Sequence, residues 1–235
     1  MQYPQPIVIY EDNHLLAVNK PAGWLVQGDA TGDLPLSEWA KGYIKDRYQK
    51  PGAVFLGVVH RLDRPVSGAL LFARTSKALE RMNRLFQERR VEKTYWAVTT
   101  EAPPLEEGSL VHYILKDKSR NVAKAFDQPS RRAAQAKKAE LTYRLLGRVG
   151  THYLLEVKPL TGRPHQIRVQ LAKIGCPIRG DLKYGAPQPN EDASICLHCR
   201  ALAFVHPVKK EPVRIVAAPP QTQIWQLFQP LLEES

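Results

Sequence analysis

Apolar residues fall in short dense runs along this chain, and the polar stretches between them mark its turns. The first two runs, Ile7-Val8-Ile9-Tyr10 and Leu15-Leu16-Ala17-Val18, flank Glu11-Asp12-Asn13-His14, so residues 7–20 predict a β-hairpin. Leu36, Trp39, Ala40, Tyr43, Ile44 and Arg47 recur at helical spacing and predict an amphipathic helix over 35–49, with its Trp and Tyr in the core. Val58-Val59 and the continuous run 69–73 read as buried strands bounded by Gly57 and Gly68. A second helix is predicted over 77–90, capped by Thr75 or Ser76, with Ala78, Leu79, Met82, Leu85 and Phe86 on one stripe. Its opposite face carries Arg81, Arg84, Arg89 and Arg90, which suit either a solvated surface or contacts to phosphate.

Residues 91–98 predict a strand on which Tyr95, Ala97 and Thr99 share a face. The stretch 101–140 is the least regular. Positive charge is dense from 116 to 138, Arg131 and Arg132 included, and suggests a mobile basic arm or hairpin tip. Strand patterns return at 141–146 and 152–158 around a turn at Gly150. Thr161-Gly162-Arg163-Pro164 closes that pair and opens a helix, with proline in its first turn and Gly175 at its end. On it Ile167, Leu171 and Ile174 face inward, while His165 and Arg168 share a neighbouring stripe. Strands over 195–205 and 213–217 precede a C-terminal helix that docks through Ile224, Trp225, Leu227 and Phe228. The succession is of α+β type: one domain over residues 1–235, a largely antiparallel mixed sheet flanked by helices and loops.

One polar insert stands out. His60-Arg61-Leu62-Asp63-Arg64-Pro65 lies between two buried runs, where a loop is held by rigid elements. Alone, Asp63 reads equally well as a turn residue paired with Arg61 or Arg64. Two further polar stretches, EKTYWAV at 92–98 and TGRPHQIRVQL at 161–171, change that balance. Together they supply a carboxylate, a tyrosine and a cation from separate segments.

HRLDRPVSG (60–68) resembles the central motif of the RluA-type RNA pseudouridine synthases. The resemblance extends, in the family's order, through NKPAGWLV (19–26), EKTYWAV, LTGRPHQIRVQL, GDLKYG (180–185) and LHCRALAFVHP (197–207). It implies an RNA uridine isomerase that flips its target base. Asp63 is then the catalytic carboxylate, Arg168 the cation that keeps it ionised, and Tyr95 the ring lying against the uracil. Arg61 would fill the space left by the flipped base, and Ile167 would floor the pocket. Arg64, Lys93, Arg163, His165 and Gln166 are candidate contacts to phosphate or base, whereas His60 reads as a structural histidine. Val66, Gln170 and Arg179 depart from the family's usual Thr, His and apolar residue.

The isomerisation consumes nothing and moves no electrons, so no cofactor is expected, and no phosphate-cradling GxxxxGK or dinucleotide GxGxxG motif is present. An aspartate can serve it by attacking C1′, by attacking the base, or by taking a proton from the ribose. A net charge of +11 favours a polyanionic partner, either ribosomal or transfer RNA. The hairpin at the N-terminus leaves no room for the small S4-type RNA-binding module of many family members, so no separate RNA-binding domain is expected. No run approaches the ~18 apolar residues of a membrane span. A cytosolic monomer without an obligate protein partner is the expectation.

Two other readings compete. The first is a catalytically idle RNA-binding or ribosome-assembly factor on the same fold, against which a buried carboxylate beside RNA phosphates argues. The second is a zinc enzyme built on Cys196, His198 and Cys199. On a strand, however, residues three apart face opposite ways, and a second CxxC is missing.

Overall fold

The computed structural model describes residues 4–129 and 133–233. In chain order the elements are β1 (Ile7–Glu11), β2 (Leu15–Lys20), α1 (Leu36–Arg47), β3 (Gly57–Val58), β4 (Ser67–Ala73), α2 (Ser76–Gln87) and β5 (Glu92–Thr99). There follow β6 (Glu107–Asp117), β7 (Val122–Phe126), β8 (Lys137–Val149), β9 (His152–Pro159) and α3 (Gln166–Lys173). The chain ends with β10 (Leu197–Val205), β11 (Pro212–Val216), α4 (Gln223–Gln226) and α5 (Gln229–Glu233). They fall into two compact units, Met1–Glu92 with Cys199–Pro219, and Lys93–His198 with Pro220–Ser235.

In the first unit the strand order is β1-β2-β4-β10, with β11 on β10 and β3 on β4. β4 is its centre: all seven residues are buried, and Leu70, Leu71 and Phe72 are wholly so. Burying each such side chain stabilises by about 1.5–3 kcal/mol. Gly68 is obligatory here, because its φ is +117° and a Cβ would lie 2.3 Å from the Cys199 carbonyl oxygen. α1 is as predicted, but Trp39 and Tyr43 are only half-buried and stack on each other, centroids 5.9 Å apart. α2 is capped by the Thr75 hydroxyl, which accepts from the Ala78 N–H at 3.2 Å. It ends at Gln87, three residues short of the predicted end, because Arg89 turns left-handed at φ +58°.

In the second unit antiparallel strands run β5-β9-β8-β6-β7. The stretch expected to be least regular is largely a long hairpin, with Tyr113 opposite Phe126 and Lys116 opposite Ala123. Charge hid the alternation: Lys124 is exposed, whereas Lys116 is half-buried on the face it shares with buried Ile114 and Ala123. Arg131 and Arg132 lie outside the described residues. The helix expected to begin with Pro164 starts instead at Gln166, because His165 adopts a left-handed conformation at φ 53°, ψ 24°. His165 therefore does not share a helical stripe with Arg168. Gly175, at φ +84°, follows the helix end as expected. The C-terminal helix is two short ones, divided at Leu227 and Phe228, with Trp225 and Phe228 buried. Among the described residues no helix is long and apolar enough to cross a membrane.

Candidate active site

Asp63 sits half-buried in the loop between β3 and β4, which is closed by the Val66 N–H donating to the Asp63 carbonyl at 3.0 Å. Within the first unit, the charge of its carboxylate acts on Lys20, the last residue of β2. This lysine is fully buried, and its ammonium donates to the carbonyls of Pro21, Arg64 and Val66 at 3.1, 3.1 and 2.7 Å. Burial pushes its pKa down to about 7, opposed by the charge of Asp63 and assisted by that of Arg64. With three donors and three carbonyl acceptors, the ammonium is matched in hydrogen bonds despite losing water. Lys20 thus ties the NKPAG turn to the Asp63 loop, and the charge of its protonated form interacts with the Asp63 carboxylate. Nothing in the NKPAG string marks this lysine for such a role, because its burial and its acceptors are set by the fold.

The arginines flanking Asp63 differ. Arg61 is exposed and reaches the Gln27 side chain at 3.4 Å. Arg64 donates through Nε to the Gly23 carbonyl at 3.0 Å and through Nη2 to Asp33 at 2.6 Å, while the Gly23 N–H donates to its carbonyl at 2.8 Å. Arg64 therefore binds the 22–35 segment to the Asp63 loop. His60 is structural: Nε2 accepts from the Leu71 N–H at 3.0 Å and the ring stacks on Phe86, centroids 5.1 Å apart.

In the second unit, Tyr95 is buried on β5 opposite Val157, and Lys93 is half-buried two residues earlier. Arg168, buried on α3, is gripped by Asp181 through two hydrogen bonds, Nε to Oδ2 at 2.7 Å and Nη2 to Oδ1 at 2.8 Å. Its guanidinium also lies over the Tyr184 ring, 5.0 Å from the centroid. Tyr184 in turn meets His165. Because the Lys116 ammonium can only donate, His165 Nε2 accepts from it at 2.9 Å, and Nδ1–H then donates to the Tyr184 oxygen at 2.6 Å. The same oxygen accepts from the Ala123 N–H at 2.8 Å. The chain Lys116–His165–Tyr184–Arg168–Asp181 thus joins the β6–β7 hairpin to the helix that presents Arg168.

The remaining candidates pin the turn before α3. The Gln166 amide oxygen accepts from the Thr161 hydroxyl at 2.7 Å and the Arg163 N–H at 2.9 Å, and its nitrogen donates to the Glu140 carbonyl at 3.0 Å. Arg163 Nε donates to the Lys138 carbonyl at 2.9 Å. Gln166 and Arg163 are therefore held by their own protein, and Ile167 is buried beside them. The three departures from the family pattern are accommodated locally. Gln170 Nε2 donates to His112 Nδ1 at 3.1 Å, Arg179 Nη1 donates to His152 Nε2 at 3.1 Å, and buried Val66 contributes the carbonyl that Lys20 grips. Cys176, Cys196 and Cys199 are buried free thiols, and burial pushes the Cys196 thiol up to about 11. Among the described residues no cluster of three or more metal-ligating side chains occurs.

Comparison with known proteins places the chain in a family. Residues 14–173 match the family model of RNA pseudouridylate synthases. Ribosomal large subunit pseudouridine synthase D of Xylella fastidiosa is 34% identical across 99% of this chain and 72% of its own length. tRNA pseudouridine synthase C of Vibrio cholerae is 32% identical across 93% of this chain and 92% of its own length. The solved structure of Human RNA Pseudouridylate Synthase Domain Containing 4 superposes with a TM-score of 0.78, at 25% identity, covering 96% of this chain and 93% of the human one. The chain belongs to the RNA pseudouridylate synthase family, and its α+β fold is that of the family's catalytic domain.

Proposed function

We propose that this protein isomerises particular uridines of structured ribosomal or transfer RNA to pseudouridine, with Asp63 as the catalytic carboxylate and Tyr95 and Arg168 as its partners in the reaction. In the reaction the N1–C1′ bond breaks, the base turns, C5 bonds to C1′, the C5 proton leaves and N1 gains one. Atoms and electrons balance without a cofactor.

The observation that carries this reading is Asp63 itself. It is a half-buried carboxylate on a loop braced by a wholly buried strand, within reach of the Lys20 charge, in a chain of this family. A carboxylate held so on a rigid element is placed to meet an arriving sugar–base junction. Flipping the uridine costs a few kcal/mol, least at an unpaired position. Exposed Arg61 is suited to fill the gap, while Lys93 and the backbone held by Gln166 and Arg163 contribute to the RNA-facing surface. The competing reading, an idle RNA-binding factor, gives Lys20 and Asp63 no task beyond structure.

The direct test supplies bulk RNA labelled with tritium at uridine C5 to the purified protein. Tritium release that is abolished in Asp63→Asn supports the proposal. Stoichiometric RNA binding with no release by the wild type contradicts it.

A further inference from the structure

The arginines of α2 acquire a partner surface in the fold. Arg81, Arg84 and Arg90 line a cleft of about 500 Å³ together with Lys210 from the turn between β10 and β11. Glu88 is the one carboxylate among the described residues that line it, and Leu85 and Val208 give the cleft an apolar floor. We infer that this cleft is an RNA-docking groove, in which the cations hold backbone phosphates and the floor takes the sugar or base edge of one nucleotide. The inference rests on the RNA-modifying reading above and deepens it.

Part of the charge has an ordinary explanation. Cations near a helix C-terminus favour the helix dipole, which accounts for Arg84 and for Arg90 just beyond the helix. Arg84 also makes a loose pair with Glu80 at 3.7 Å, and Arg90 one with Glu88 at 3.5 Å, both exposed and weak. Neither explanation reaches Lys210. That residue holds a left-handed backbone, φ +64°, where glycine would sit without strain. The turn that fixes it is tightly tied: His206 Nδ1 accepts from the Val208 and Lys209 N–H groups at 3.1 and 2.9 Å, and the Lys210 N–H donates to the His206 carbonyl at 3.1 Å. Lys209, next door, is engaged by Asp12 at 2.9 Å. The Lys210 ammonium donates to the Pro207 carbonyl at 3.1 Å, an acceptor to which Arg81 also reaches, at 3.5 Å. The cleft therefore carries a strained cation on a rigid turn opposite the arginines, the arrangement expected when an anion is to be clasped rather than a helix end neutralised. The same helix stacks Phe86 on His60, three residues from Asp63, so a strand held here lies along the element that braces the catalytic loop.

The experiment compares full-length wild type, Arg84→Gln/Arg90→Gln/Lys210→Gln, and a control of equal charge loss elsewhere, Arg47→Gln/Arg144→Gln/Lys158→Gln, using bulk transfer RNA as probe. Affinity is read across a KCl series, and tritium release is read at saturating RNA. The cleft variant should bind on the order of tenfold more weakly at about 0.1 M KCl. Its slope of log K against log salt should be shallower by roughly 0.7–0.9 for each phosphate that is no longer neutralised. Its saturating turnover should be unchanged and the control's slope should stay near wild type. Lys210→Gly should raise Tm by roughly 2 °C, by relieving strain, yet weaken binding. Equal losses in cleft and control variants, or unchanged affinity and slope in the cleft variant, overturn the groove. If the wild type binds RNA but releases no tritium, the catalytic proposal fails while the slopes still decide the groove.

Discussion

Arg168 and Asp181 form a buried two-point ion pair: Nε and Nη2 of the arginine meet Oδ2 and Oδ1 of the aspartate at 2.7 and 2.8 Å, with both side chains almost wholly out of water. Two charges so deeply buried offset their lost hydration only while both are present. Asp181→Asn should therefore cost about 3–5 kcal/mol of folding stability, measured by urea unfolding, because the buried guanidinium of Arg168 loses its two-point carboxylate partner. Arg168→Lys should be nearly as damaging, since a lysine cannot span both oxygens. Variants that unfold within about 0.5 kcal/mol of wild type would show that the pair is not needed.

Lys20 gives a pH dependence whose sign is fixed. Its pKa in the fold is about 7, against 10.5 ordinarily. Between those values the unfolded chain binds a proton that the folded one does not, so stability rises with pH across that window. Below about 7 both states are protonated and the penalty is fully present. Relative to Lys20→Met, the wild type should gain stability from about pH 7 to about pH 10, by up to about 1.4 kcal/mol per pH unit. Lys20→Met should itself be destabilised by about 1–3 kcal/mol near pH 9, because the surrounding carbonyls lose the two N–H donors of the neutral amine. A flat difference between the two proteins over this range would contradict the linkage.

The Tyr184 oxygen joins two segments, accepting from His165 Nδ1 and from the Ala123 N–H. Tyr184→Phe should cost about 1–3 kcal/mol by leaving a buried donor unmet. It should also speed amide exchange at Ala123, the residue opposite Lys116 in the hairpin. Lys116→Met should leave the Ala123 bond intact and cost less. Equal exchange at Ala123 in Tyr184→Phe and wild type would mean that hairpin and helix are not coupled through this oxygen.

Gly68→Ala should prevent folding of β4. It combines a left-handed φ with a Cβ placed 2.3 Å from backbone that cannot move aside. Soluble, cooperatively unfolding Gly68→Ala protein would show that β10 can yield there.

Periodicity carried most of the fold because the strands of the first unit are short and dense: β2 and β4 announce themselves by unbroken apolar runs, and the β1–β2 hairpin by its polar turn. It failed where charge covered the pattern. β6 and β7 look irregular because charged residues break their apolar runs, exposed Lys124 on β7 and half-buried Lys116 on the same face of β6 as Ile114. It also failed at His165, since nothing in a polar–proline–histidine string signals a left-handed residue held by partners from elsewhere. The site was legible as motifs but not as bonds. Asp63, Tyr95 and Arg168 stood in recognisable strings, whereas the burial of Lys20 and the grip of Asp181 come from long-range packing. Arg64, Arg163 and Gln166 read as RNA contacts because they are polar and near a motif. In the fold their hydrogen bonds go largely to the protein itself.

The most direct measurement is a pseudouridine map of total cellular RNA from wild type, a deletion strain, and the deletion strain carrying Asp63→Asn. If Asp63 catalyses the isomerisation, one or a few sites should be absent from both mutant strains and restored by the wild-type protein. Identical maps in all three strains would contradict that role.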